Sequence, residues 1–564
     1  MTLVKTGIGG VGLALAASLG LLATVAAGGC SAQGSTVGGH GGGGSGGNKT
    51  GTGSGGASGS GGTTGGSGGA GNAGGTAGSI GTVRSGDSVL MHHRNLNRDG
   101  VYVQATLTKA AVTESFNKDT GFNAVLGSGE AVYAQPLFVD GAATGSDAGR
   151  QDLVIVATEW NNVYALDAVT GSRVWLRNLG APVPLADMPC GNIDPFGVTG
   201  TPVIDFGSRT LFVDAMTTPD GGTTKKHLIF ALSLDDGLTR AGWPIDVAAK
   251  VKSGGTTFNS APQSQRGALA LLNGTLYVPY GGLYGDCGSY HGWLVAVSIS
   301  DPTQIQAWAT SLAAGGSWGP GGVASDGSSL YITTGNTFGG TTTWGGGEGL
   351  LRFTPGASFT TPAYWAAMNW TTLDNGDLDV GGSGVVVFDL AGASPSSLAL
   401  ALGKDGNAYL LDRNNLNGVS APTAVAHVAT NEIINAPAVY TTATATYAAF
   451  KANGSKCTQG TGSLSTIKIV PGSPPTIAGS WCGNGGSGSP MVTTSDGHAD
   501  AIVWIMGVNG NNSLNAFDGD TGDVIAYPGK AVTIPGMRAF NTPIAAKGRI
   551  YVPADGTIVA FKGG

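Results

Sequence analysis

The chain has 564 residues, 101 of them glycine, and a formal charge of −7. Charged residues make up 11%, against about 25% in an average soluble protein. A charge-poor, acidic-leaning chain carries no basic footprint, which excludes nucleic acid as a partner.

In chain order, residues 1–30 read MTLVKTGIGGVGLALAASLGLLATVAAGGC. Lys5 supplies a short positive end, an uncharged apolar run follows, and small residues precede Cys30. This is the layout of a secretory signal, excluded from the fold. With its Cys followed by a glycine-rich stretch, the segment resembles a bacterial lipoprotein signal. Ala27-Gly28-Gly29-Cys30 is a loose version of that family's lipobox, with Ala27 where Leu is usual. The resemblance implies lipidation of Cys30 and a chain exported to the outer membrane, periplasm or cell surface, with the membrane as a partner through the lipid. An ordinary cleaved signal with an incidental Cys is the alternative. Residues 31–83 read as a Gly/Ser-rich tether: 24 glycines fall in 31–80, whose only charge is Lys49, and no three-residue period organises them.

The body, 84–564, repeats one phrase: a short strand with a small residue and often Pro, an apolar second strand, and a third strand often ending in Ala-x-Asp. The first-strand phrases begin at Tyr133, Thr199, Gly267, Gly321, Gly382, Ala436, Gly488 and Asn541, roughly 50–70 residues apart. Second strands include Leu276-Tyr-Val and Ile550-Tyr-Val; third strands include Val163–Asp167, Ala408–Asp412 and Leu514–Asp518. That spacing accommodates four short strands, and such units bury their faces only by stacking on neighbours. The expected fold is therefore all-β, a propeller of four-stranded blades: eight, or seven if one phrase is miscounted. The last unit has room for three strands, so residues 84–120 are expected to supply the fourth and close the ring.

One outer turn carries a specific resemblance. Ala165-Leu-Asp167-Ala-Val-Thr170-Gly171-Ser-Arg-Val-Trp175 is similar to the tryptophan-docking motif of pyrroloquinoline quinone (PQQ) propellers. Thr170-Gly171 would make the tight turn between the outer strands and Trp175 would pack flat on the next blade. Ala516–Gly522 repeats the turn, with Ala526 where Trp would stand; Trp243 and Trp308 end degenerate copies. The resemblance spans about residues 88–564, and that family includes both quinoprotein dehydrogenases and non-catalytic barrel-assembly lipoproteins.

In a propeller, the loops before first strands and those between second and third strands emerge on one face. Setting Cys30 aside, four cysteines remain, none in a CxxC motif, and an oxidising compartment makes disulfides the expectation. Of three possible pairings, Cys190–Cys287 and Cys457–Cys482 each join loops of that face. The same face receives Thr333-Thr-Gly335-Asn336, which resembles the segment where quinoprotein dehydrogenases place a calcium-binding Asn. It also receives Asp377-Leu-Asp379, where that family carries its catalytic Asp. Asn336, Asp377 and Asp379 are the candidate cofactor residues, Asn336 and Asp379 the candidate metal ligands, with PQQ and calcium the cofactors implied. Turn capping is the alternative for Asn336 and Asp379.

The chain departs from that family in lacking adjacent cysteines and in having no Glu near Asp286–Gly288. Asp518–Asp523 reads as turn chemistry, His92-His93 as closing-strand or surface residues, and Gly345–Glu348 as no phosphate loop because no helix follows. The functional expectation is an exported, lipid-anchored propeller that binds or scaffolds a protein or polymer partner, without chemistry of its own. The second expectation is a divergent quinoprotein oxidoreductase with Asp379 as its base.

Overall fold

The computed structural model describes residues 86–141, 149–340, 342–356, 359 and 362–563. The signal segment, the tether and Cys30 lie outside the described residues. Each of the eight phrases folds as the innermost strand of a sheet, because its small residues pass close to the axis while the following apolar strands are buried on both faces. Blade 1 shows the pattern: Leu137–Val139, Leu153–Ala157, Asn162–Asp167 and Arg173–Asn178 pair antiparallel in that order. Blades 2 (203–246), 3 (270–309), 4 (324–366), 5 (385–427) and 6 (438–483) repeat it. Blade 7 (491–518) has three strands of its own. Blade 8 takes Ile544–Ala546, Arg549–Ala554 and Thr557–Lys562 from the C-terminal end and Asn117–Lys118 as its outer strand. Eight blades are thus present among the described residues, and an N-terminal strand closes the ring as expected.

Trp175 docks as its motif requires. Its indole Nε1 donates to Leu234 O of blade 2 at 2.8 Å, and its ring lies flat on Gly237, where a Cβ would stand 2.7 Å from Cε3. Gly237 is also at φ +70°, so close approach and backbone both demand glycine there. In the turn, Asp167 Oδ1 accepts from Thr170 N at 2.7 Å and Thr170 Oγ1 at 2.8 Å. Ala165, paired with Trp175 across the sheet, leaves room for the indole. The turn at Asp518 receives the same treatment from a tryptophan that the motif search passed over. Trp481 of blade 6 donates to Gly519 O at 3.0 Å. As with Trp175, the tryptophan of one blade docks on the turn of the next.

Residues 89–104 form a strap that threads the axial channel and meets the blades in order. Val89 exchanges backbone hydrogen bonds with Phe138 of blade 1, and Leu90 O accepts from Ile204 N of blade 2. Leu96, Asn97, Asp99 and Gly100 carbonyls accept from Ser325, Val387, Val439 and Val492 of blades 4 to 7. Val101–Val103 then runs parallel to Met491–Thr494, and Gln104 Oε1 accepts from Gly548 N of blade 8 at 2.7 Å. Blade 3 is reached through a side chain: Arg98 Nη2 donates to Leu269 O at 2.8 Å, while Nε donates to Val323 O at 2.9 Å and Nη1 to His92 O at 2.7 Å. His92 and His93 are not surface residues. They stack at 4.2 Å inside the strap, and burial holds both imidazoles neutral, His93 pulled down to about 4.

Candidate functional site

Above the strap, the loops of the predicted face enclose an axial cavity of about 450 Å³. Its wall is assembled from both loop classes. Arg266, Trp318 and Phe540 come from segments leading into the inner strands of blades 3, 4 and 8, while Asn336 and Lys404 follow the second strands of blades 4 and 5. Asp377 and Asp379 lead into blade 5, so the three candidate residues do converge on one cavity. Tyr284 and Asp286, just before Cys287, and Gly191–Ile193, just after Cys190, form one side of the rim. The Cys190–Cys287 disulfide pins these two loops together. Cys457–Cys482 also forms, stapling blade 6 away from the cavity lining.

The charge in the cavity is arranged around Lys404. Its ammonium lies 2.6 Å from Asp377 Oδ1 and 2.6 Å from Asp379 Oδ2. It also stands 5.2 Å from the ring centre of Trp318. The other oxygen of Asp379 accepts from Asn336 N at 2.6 Å. Asp379 therefore bridges two loops rather than capping its own turn. Gly335 permits this approach, since a Cβ there would stand 2.3 Å from Asp379 Oδ1. The carboxamide of Asn336 has no hydrogen-bond partner among the described residues and lines the cavity, so it caps no turn either. Asp377 ends the helix Trp370–Gly376 in the left-handed region, φ 52°, which Asp tolerates better than most residues.

Beside this pair sits Glu348, fully buried, with Oε2 accepting from Val380 N at 2.8 Å and Oε1 unpartnered. Burial and then the Asp379 charge push its carboxyl well above the usual carboxylate range; burial raises Asp379 too, against the pull of Lys404. On the rim, Tyr290 OH donates to Asp286 Oδ1 at 2.6 Å.

Arg266, Trp318, Lys404, Phe540 and Glu348 were not identified from sequence. That loops before first strands and after second strands share one face reaches the first four: Arg266 directly precedes Gly267, and Lys404 directly follows Gly403 at the end of a second strand.

A planar acid fits these residues: the cavity offers an indole face, flanking cations and an unbonded amide. A calcium ion does not fit. Both oxygens of Asp379 are engaged, and the described residues hold no group of three or more His, Cys, Asp or Glu placed to take a metal; calcium prefers six to eight oxygen ligands.

No protein-family model and no curated protein matches the chain. Solved structures do. The quinohemoprotein alcohol dehydrogenase from Comamonas testosteroni superposes with a TM-score of 0.57 at 14% identity, covering 85% of this chain and 81% of its own. A quinohemoprotein alcohol dehydrogenase from Pseudomonas putida HK5 gives 0.56 at 12% identity, over 85% and 80%. A europium-containing methanol dehydrogenase gives 0.54 at 15% identity, over 83% and 89%. At these identities the likeness is one of fold: the chain has the ring architecture of quinoprotein dehydrogenases.

Proposed function

We propose that this chain is a ligand-binding propeller of the cell envelope whose axial cavity takes a planar anionic molecule of the PQQ class. The observation that carries this reading is the Trp318 indole, flanked on the cavity by the Lys404 ammonium at 5.2 Å and the Arg266 guanidinium at 6.0 Å. A flat ring stacked on an indole gains dispersion and offset-stacking energy, and the two cations favour negative substituents at its edge. The fold shared with alcohol and methanol dehydrogenases points to PQQ as the first ligand to try. Anchoring in the envelope rests on residues 1–30 and on the tether, and assigns the lipid to Cys30.

A second reading, an oxidoreductase, is favoured by the position of Asp379 on the cavity. Bound PQQ would supply a quinone able to accept two electrons from a substrate, and Asp379, once released from Lys404, would take a proton. The occupied oxygens of Asp379 and the missing metal donors favour binding without turnover.

Titration of the protein with PQQ, followed by quenching of tryptophan fluorescence, is expected to saturate at one equivalent, with Kd in the micromolar range or below and no dye-linked alcohol oxidation with or without calcium. Turnover that disappears in Asp379→Asn would establish the second reading, and absence of saturable binding would remove PQQ as the ligand. Labelled palmitate is expected to be incorporated in cells by the wild-type chain and not by Cys30→Ser; incorporation that persists in the variant would overturn the anchor.

A further inference from the structure

We infer that the seam between blades 8 and 1, where the two ends of the ring meet, is closed by a pH-sensitive clasp: Glu159 holds two loops together while it carries a proton, and its ionisation loosens them. The inference is independent of what the axial cavity binds.

The clasp is built on residues 126–131, the segment leading into blade 1. On one side it is tied to a loop of blade 8: Leu126 N donates to Gly556 O at 2.9 Å, and Gly556 N donates to Glu130 O at 2.7 Å. On the other side it is tied to the loop after the second strand of blade 1 by two neighbouring carboxyl groups. Glu130 is surrounded by donors, Thr158 Oγ1 at 2.8 Å, Asn162 Nδ2 at 2.7 Å and Tyr164 OH at 3.0 Å. Glu159 is treated differently. Its Oε1 accepts from Ala131 N at 2.7 Å, and its main-chain N donates to Ala131 O at 3.3 Å. Its Oε2 is buried and has no partner among the described residues, and the whole residue is 3% exposed.

The titratable groups around Glu159 come from three elements. The lead-in brings Glu130 and Tyr133, and the third strand of blade 1 brings Tyr164, bonded to Glu130. Blade 8 brings Arg538, which is engaged by Asp555 through bonds of 2.8 and 2.6 Å and stands 5.3 Å from the Tyr133 ring centre. Gly197, leading into blade 2, passes over the Glu159 carbonyl, where a Cβ would stand 2.2 Å away, and adds no charge. Burial pushes the Glu159 carboxyl up; the Ala131 N–H and Arg538 oppose the rise and the Glu130 charge adds to it, leaving the group at about 7. Burying an unbonded oxygen costs more on a carboxylate than on a neutral carboxyl, so ionisation falls on the weak point of the clasp. The folded value lies above the ordinary 4.5. The contribution of this group to stability is therefore fully present below about pH 4.5 and is lost as pH rises through about 7.

Two measurements on the full-length protein test this. In guanidinium denaturation, the ratio of the wild-type unfolding constant to that of Glu159→Gln is expected to rise at least about thirtyfold between about pH 5 and pH 8. Glutamine keeps an acceptor for Ala131 N and does not ionise, so the other titrating groups cancel in the ratio. Trp160, next in the chain and 46% exposed, reports the loosening in the folded state. The difference in emission between wild type and Trp160→Phe is expected to change with a midpoint near pH 7, and to stay constant when Glu159→Gln is added. In Glu130→Gln, which removes the neighbouring charge, the midpoint is expected to move to lower pH; this shift decides the matter if Glu159→Gln does not fold. A ratio constant within threefold would overturn the inference. So would an emission difference that is flat with pH, that persists in Glu159→Gln, or whose midpoint ignores Glu130→Gln.

Discussion

Arg98→Met is expected to destabilise the protein by about 4 kcal/mol, the largest effect of any single substitution outside the cavity. Arg98 is 1% exposed and among the described residues has no carboxylate partner; each of its three guanidinium nitrogens donates to a main-chain carbonyl, those of His92, Leu269 and Val323. Methionine keeps the apolar stem but leaves three buried carbonyls without donors, each costing about 1–3 kcal/mol, offset in part by no longer burying a charge. The loss falls at one place on the ring, because Arg98 ties the strap to blade 3 and adds a second tie to blade 4 beside the Ser325–Leu96 backbone bond. Guanidinium denaturation followed by tryptophan fluorescence measures it. A midpoint shift equivalent to less than 1 kcal/mol would show that the strap lies in the channel without holding it together.

The second large effect is expected from Cys190→Ser/Cys287→Ser. The bond closes a loop of 97 residues, for which chain-entropy estimates give about 4 kcal/mol. The consequence for binding separates this bond from Cys457–Cys482, whose loop spans 25 residues and whose neighbouring residues, unlike Gly191–Ile193 and Tyr284–Asp286, do not line the cavity. With Cys190 and Cys287 replaced, the rim formed by Gly191–Ile193 and Tyr284–Asp286 loses its common anchor, and ligand affinity is expected to fall at least tenfold at temperatures where the ring remains folded. Replacing the Cys457–Cys482 pair is expected to cost stability and leave affinity within twofold. Equal affinity in both double variants, measured by the same titration, would dissociate the rim from binding.

Much of this architecture is legible in the sequence, for physical reasons. First-strand phrases carry small residues and Pro because they crowd the axis, and the repeat of that constraint gives the blade count. Trp175 is legible because its whole docking turn is local, within eleven residues. Trp481 also docks on the following blade, at Asp518–Gly522, but the turn before it, Val470–Thr476, lacks the Asp-x-x-Thr-Gly pattern that marks Trp175. Asn336 and Asp379 are legible through their resemblance to quinoprotein segments on the ligand face, with turn capping as the alternative; the cross-loop bond between them and the ion pair to Lys404 decide against capping. Arg266 and Trp318 carry no local pattern at all. Their role arises from three-dimensional neighbours contributed by different blades, and no periodicity encodes that. The strap was equally hidden: residues 89–104 mix Gly, Asn, Asp, Arg and His without alternation, because what they satisfy is a ring of blade edges and not a sheet face.

The strap also bears on kinetics. A propeller with an open channel offers two doors, and molecules can pass through it. Here the inner end is filled by His92, His93 and Arg98, each at most 2% exposed, so among the described residues the axial cavity is closed by the strap below and opens at the rim. Whatever arrives past Tyr284 and Asp286 must depart past them. Arrival and departure then share one barrier: loosening the rim speeds departure and shortens residence, and because the rim residues also line the cavity it weakens binding as well.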